Sequence, residues 1–248
     1  MEKQGEWSLG LHLGRVNKSL SLEENRKIVN EKIYEACLRS NRNPKDIKII
    51  AVTKYVDIDK TKEALNIGYE HIGENRVHNG IEKYQQLQGF GIWHLIGQLQ
   101  TKKVKDAIGK FEYVHSLDRL ALAEEINKRA LEKKCVVNCF IQVNISQEET
   151  KSGIASSDLI ELARKLTTYN NINIVGLMTM APYIEDKELI RPIFRTLREL
   201  RDQINFMNLF NYPVNELSMG MSNDFEVAIE EGATFIRLGS ILFNNIQN

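Results

Sequence analysis

Cysteine is scarce in this chain: Cys37, Cys135 and Cys139 are the only three in 248 residues. The number is odd and no two form a CxxC pair, so neither a disulfide framework nor a thiol metal clamp is expected. Cys135 and Cys139 lie four apart in a strand-like run, which puts them on one face as plain core thiols. A reducing compartment, the cytoplasm, follows as the expectation. No run approaches the ~18 apolar residues of a membrane span. The first nineteen residues lack the unbroken apolar core of a signal peptide. There is no excess of charge of either sign, with 33 Lys+Arg against 33 Asp+Glu. That balance argues against nucleic acid or a membrane surface as the main partner. No stretch rich in Pro, Gly and Ser divides the chain.

Several catalytic signatures are also missing. The five histidines, His12, His71, His78, His94 and His115, show neither HExxH nor Cys/His ligand spacing, so no metal site is expected. There is no GxSxG elbow, no Walker-type GK[ST], and no G-x-G-x-x-G after the first strand, which argues against a dinucleotide fold.

What the chain does have is alternation. Residues 1–20 read as an extension without periodicity. Ser21 and Glu24 have capping-box spacing, and the helix they open runs to about Ser40. Short apolar runs then alternate with amphipathic helices: Ile47–Thr53, His71–Gly73, Ile92–Ile96, Tyr113–His115, Val136–Ile145, Ile172–Met178, Asn215–Leu217 and Thr234–Ile236. Asp118 is expected to cap the helix after the fourth run. Eight parallel strands wrapped by helices, in a chain of barrel length, predict a single α/β domain over 21–248, a (β/α)8 TIM barrel with an extra N-terminal helix.

In such a barrel, functional groups collect at the C-terminal ends of the strands. Lys54, Asn75, His94, Ser116, Asn144, Met178, Ser218 and Arg237 fall there. Lys54 follows an apolar strand that would wall its stem, a setting for a nucleophilic amine, or equally for a lysine that reaches out to solvent. Ser218-Met219-Gly220-Met221-Ser222 reads as a glycine turn leading into a helix capped by Ser222 or Asn223, with Glu226 at the capping-box position. Free N–H groups beside two serine hydroxyls suit a phosphate, and Gly239-Ser240 extends the cradle. Arg237 fits a phosphate, a pyridine nitrogen or a rim salt bridge. His94 fits a ligand contact, an acid/base or a satisfied core histidine. The lysines at 102, 103, 105 and 110 form a solvated basic face.

Eight ordered blocks then carry a resemblance: AVTK around Lys54, HIGENRV, WHLIGQLQTKK, VHSLDRL, QVNISQEETKSGI, GLMTM, LSMGMSND and IRLGSILF. Together, over roughly residues 22–243, they resemble the pyridoxal 5′-phosphate (PLP) homeostasis proteins, whose fold is similar to the N-terminal barrel of alanine racemase. The resemblance implies PLP as cofactor, held as a Schiff base on Lys54. It implies phosphate binding by Ser218, Gly220, Ser222, Gly239 and Ser240. It also implies Arg237 beside the pyridine nitrogen, and Asn75, His94 and Met178 lining the cofactor. Tyr55 after Lys54, and Ser240 where Thr is usual, depart from the family pattern without removing a needed group. The implied function is non-catalytic: intracellular PLP homeostasis by a monomer, with PLP-dependent apoenzymes as recipients. Racemases need an acid/base on each face of the substrate, the second from a further domain that is not expected here. A PLP-dependent amino-acid racemase and a cofactor-free aldolase using Lys54 are the alternatives.

Overall fold

The computed structural model describes residues 20–146 and 152–244. Its strands are β1 (Lys48–Val52), β2 (His71–Glu74), β3 (Ile92–Leu95), β4 (Tyr113–Leu117), β5 (Val137–Asn144), β6 (Ile154–Ala155), β7 (Ile172–Met178), β8 (Glu216–Met221) and β9 (Phe235–Leu238). All pairings are parallel, in the order β4-β3-β2-β1-β9-β8-β7-β5, and β4 pairs with β5 to close an eight-stranded barrel. The two-residue β6 pairs with Val143 and Asn144 at the C-terminal end of β5. The helices are α1 (Leu22–Arg39), α2 (Ile58–Asn66), α3 (Val77–Gln86), α4 (Val104–Ala107), α5 (Leu120–Glu132), α6 (Leu159–Leu166), α7 (Arg191–Phe206), α8 (Phe225–Glu230) and α9 (Ser240–Phe243). The expected barrel with an N-terminal helix is therefore present.

Two separate apolar layers hold it. The larger lies between strands and helices, as expected where a parallel sheet is covered on its outer face. The smaller fills the lumen with Ile50, Phe140, Met178 and Phe235. Helix α1 starts at Ser21, whose hydroxyl accepts from the Glu24 N–H while the Glu24 carboxylate accepts from the Ser21 N–H. Its buried residues Leu22, Val29, Ile33, Ala36 and Cys37 are each worth roughly 1.5–3 kcal/mol where the side chain is large. Asn25 donates to the Leu242 carbonyl at 2.8 Å, and Arg39 pairs with Glu226 and Glu230. The first helix is thus fastened to the elements that follow β8 and β9.

The structure corrects several local expectations. Ser218 to Met221 are not a turn: they continue β8, and the turn proper is Ser222–Asp224. Arg237 sits inside β9 rather than past its end. Neither Ser222 nor Asn223 caps α8. Asp224 holds that position, its carboxylate accepting from the Met221 N–H, and Glu226 faces Lys32 and Arg39 of α1. Asp118 does not cap α5; its carboxylate is taken by Arg119, itself at the cap. Cys135 precedes β5 and is only partly buried, whereas Cys37 and Cys139 are buried, and all three are free thiols.

Candidate functional site

The register of four neighbouring strands builds one sector of the barrel mouth. In the order β2, β1, β9, β8 their ends deliver Asn75, Lys54, Gly239 with Ser240, and Ser222. Ala51 is opposite Leu238 and Val52 is opposite Gly73, so the chain leaving β1 runs beside Gly239. A Cβ on Gly239 would lie 3.5 Å from the Val52 Cβ and carbonyl oxygen. Lys54 is half-buried two residues beyond, with its ammonium 4.8 Å from the ring centroid of the exposed Tyr55.

The peptide that carries Lys54 is held from beneath. Thr53 donates its hydroxyl to Glu74 Oε1 at 2.6 Å, and Lys83 Nζ donates to the Thr53 carbonyl at 2.6 Å and to the same Glu74 oxygen at 2.7 Å. Glu74 is fully buried and its Oε2 has no partner. Asn75 is half-buried, with its carbonyl against Gly97, where a Cβ would collide with it.

On the other side of β1 lies the turn after β8. The Ser222 hydroxyl accepts from the Gly239 and Ile241 N–H groups at 3.2 and 3.3 Å, tying the ends of β8 and β9 together. Asn223 Nδ2 is buried without an acceptor. Gly220 has φ +91°, and a Cβ there would lie 2.7 Å from the Ala228 Cβ and 3.0 Å from the Phe225 Cα. Gly220→Ala is therefore expected to cost about 2–4 kcal/mol through positive-φ strain and overpacking. Urea unfolding at pH 7 checks this; an unchanged midpoint would show that β8 does not need glycine at this position.

Below that turn Arg237 is buried, with Nη1 2.6 Å from Ser218 Oγ and Nη2 2.8 Å from the Thr179 carbonyl, and no carboxylate of the described residues within ion-pair distance. Burial pushes its guanidinium down to about 10, against the pull of the nearby Asp224. Burial raises the Asp224 carboxyl in turn, opposed by the Met221 N–H, Arg237 and Lys187. Met178 belongs to the lumen cluster with Ile50, Phe140 and Phe235 and is paired in register with Ser218. His94 is not at the rim. It is buried in the lumen, stacked on Tyr113 at 4.4 Å, and reaches Ser218 only through His115. Ser116 accepts from the Leu99 N–H, and Asn144 ends β5. Part of the QVNISQEETKSGI block, residues 147–151, lies outside the described residues.

The sequence matches the family described as alanine racemase, N-terminal domain, over residues 36–245. A pyridoxal phosphate homeostasis protein from Aquifex aeolicus is 45% identical over 86% of this chain and 93% of its own length. One of the same name from Escherichia coli is 35% identical over 87% and 92%. The chain belongs to the pyridoxal phosphate homeostasis protein family. Among solved structures, PipY of Synechococcus elongatus with PLP bound is 32% identical, with a TM-score of 0.76, covering 87% of this chain and all of that one.

For this family member, the structure brings together Ser218 with Arg237, and Ser222 with Gly239. It seats Lys54 two residues past the strand whose end lies beside Gly239 and leaves Ser240 exposed at the start of α9. The sequence reading missed His71, His115, Thr53, Glu74 and Lys83. A signal existed for the first two: three consecutive strands each carry a histidine in an otherwise apolar run. The Glu74–Lys83 pair had none, because its members belong to a strand end and the helix after it.

Proposed function

We propose that this chain binds pyridoxal 5′-phosphate, captures it covalently at Lys54, and serves as a cytoplasmic carrier for intracellular PLP homeostasis, without turnover. PLP supplies an aldehyde for a lysine amine and a phosphate dianion for positioning. The residues present suit such a ligand. Arg237 is a buried cation with no carboxylate of the described residues within ion-pair distance, and the Asn223 amide nitrogen, buried without a partner, lies in the turn after β8. Ser222, already bonded to two N–H groups across the β8–β9 gap, stands where a phosphate oxygen would take them over. Arg237 holds its hydrogens firmly enough to donate to a ring nitrogen rather than protonate it. The observation that carries the reading is the close approach of Val52 to Gly239, which sets the lysine-bearing end of β1 next to the end of β9.

Borohydride reduction of protein incubated with PLP, followed by peptide mass spectrometry, is the test. A pyridoxyl adduct on Lys54, absent in Lys54→Ala, is expected. A labelled lysine elsewhere, with Lys54 unmodified, would overturn the assignment. Racemisation with Tyr55 as the second base is disfavoured, because Tyr55 lies against the amine of Lys54 itself and the two cannot flank a planar group from opposite faces. Exchange of the L-alanine α-hydrogen in D2O should accordingly run far below ~1 s⁻¹. Among the described residues no group of three or more His, Cys, Asp or Glu side chains is arranged to hold a metal ion. No described helix is long and apolar enough to cross a membrane. We infer that the carrier acts as a monomer, with PLP-dependent apoenzymes as recipients.

A further inference from the structure

An unbroken line of hydrogen bonds crosses the barrel lumen. His71 Nδ1 is 2.8 Å from His94 Nε2, His94 Nδ1 is 2.9 Å from His115 Nε2, and His115 Nδ1 is 2.9 Å from Ser218 Oγ. Arg237 closes it from above. His94 and His115 are fully buried, and His71, the first residue of β2, is only partly so. The line therefore starts at the N-terminal end of the barrel and finishes under the site.

Counting donors fixes its direction. Arg237 can only donate, so Ser218 Oγ is its acceptor. The acceptor in reach of the buried Ser218 hydroxyl hydrogen among the described residues is His115 Nδ1, and giving it that hydrogen leaves no buried donor unpaired. His115 must carry its hydrogen on Nε2 and donate to His94 Nδ1, and His94 in turn donates from Nε2 to His71 Nδ1. His71 is left with Nε2–H as the terminal donor. Every imidazole is neutral and each buried nitrogen is satisfied. A charge on His94 or His115 is resisted by burial first, then by neighbouring imidazoles and by Lys48 for His94, and by Arg237 for His115. At His71, burial and Lys48 of β1 oppose protonation, while Glu70 and Glu216 of β8 favour it. Tyr113 of β4 faces the same space.

We propose that this line is a proton path between the site and the opposite end of the barrel. An acid held beside Ser218 passes its proton to Ser218 Oγ as the Ser218 hydrogen moves to His115 Nδ1. The Nε2 hydrogens of His115 and His94 shift to the next ring, and the Nε2 hydrogen of His71 leaves to water. One proton enters, one leaves, and all rings end neutral with reversed tautomers. A phosphate monoester, whose second pKa is about 6, loses such a proton beside a buried guanidinium while itself plugging the mouth. The identity of that acid rests on the PLP reading; the path is a property of the protein alone.

Nitrogen-15 spectra of the imidazoles in the cofactor-free protein test it without any substitution. At pH 8, His94 and His115 should both be Nε2–H tautomers, and both should switch to Nδ1–H together as His71 takes up a proton. Opposite tautomers on His94 and His115, or independent titration, would overturn the path. In His71→Leu, hydrogen exchange of the His115 ring should slow at least tenfold; an unchanged rate would equally defeat it. Borohydride trapping at Lys54 reports on the cofactor separately, so the two readings can fail independently.

Discussion

Acidification is expected to unfold this protein steeply, with the buried histidines as the cause. His94 and His115 are held well below the ordinary histidine value of 6.5, chiefly by burial. The unfolded chain binds protons that the folded one refuses, so stability is fully present above about pH 6.5 and falls as the pH drops below it. Each neutral-locked imidazole removes about 1.4 kcal/mol per pH unit in that window, until the folded ring itself takes a proton. Two of them together give a slope near 3 kcal/mol per unit, and His71 adds with the same sign. Against a total of about 5–15 kcal/mol for a typical domain, two units are enough to matter. Asp224 and Glu112, raised by burial, act the other way, because the folded state keeps their protons better. The histidine part is isolated by urea unfolding at pH 7, 6 and 5 in wild type and His94→Gln. The variant should lose about 1.4 kcal/mol per unit of slope; identical slopes would show that His94 is not kept neutral by the fold.

The barrel was legible because its signal is carried by many residues at once. Eight apolar runs separated by amphipathic helices leave little choice of architecture, and a misjudged boundary in one does not disturb the count. The mouth residues were legible for a similar reason, since strand ends in a barrel converge whatever the details. What was not legible depended on inward geometry. Ser218 to Met221 looked like a turn because Gly220 breaks the apolar pattern, yet β8 continues through it: Ser218 pairs with Phe235 and Met221 with Arg237, and the register slips between them. The one extra residue of β8 is absorbed at Gly220, whose positive φ no other residue adopts cheaply. The same slip draws Arg237 into the barrel instead of onto its rim. His94 was placed at the mouth from its position near the end of β3, but β3 is short and its third residue still lies level with Tyr113, the first of β4.

Lys83→Met is expected to have the second large effect, and the reason lies beneath Lys54. The substitution leaves the Glu74 carboxylate fully buried with only the Thr53 hydroxyl as donor, and it strips the Thr53 carbonyl of its ammonium partner. Removing one member of a buried pair in this way costs about 3–5 kcal/mol, because the remaining charge is uncompensated. Glu74→Gln with Lys83→Met should recover part of that loss, since an amide can keep the Thr53 contact without a charge. Yet the double variant leaves the Thr53 carbonyl with the Val56 N–H at 3.1 Å and without its ammonium partner, so the peptide leading into Lys54 is held less firmly than in wild type. Stability and capture should therefore separate. The double variant is expected to regain at least half the lost unfolding free energy while trapping PLP at Lys54 several-fold more slowly than wild type. If trapping returns fully with stability, Lys83 is a structural partner of Glu74 only, and the Thr53 carbonyl does not position the amine.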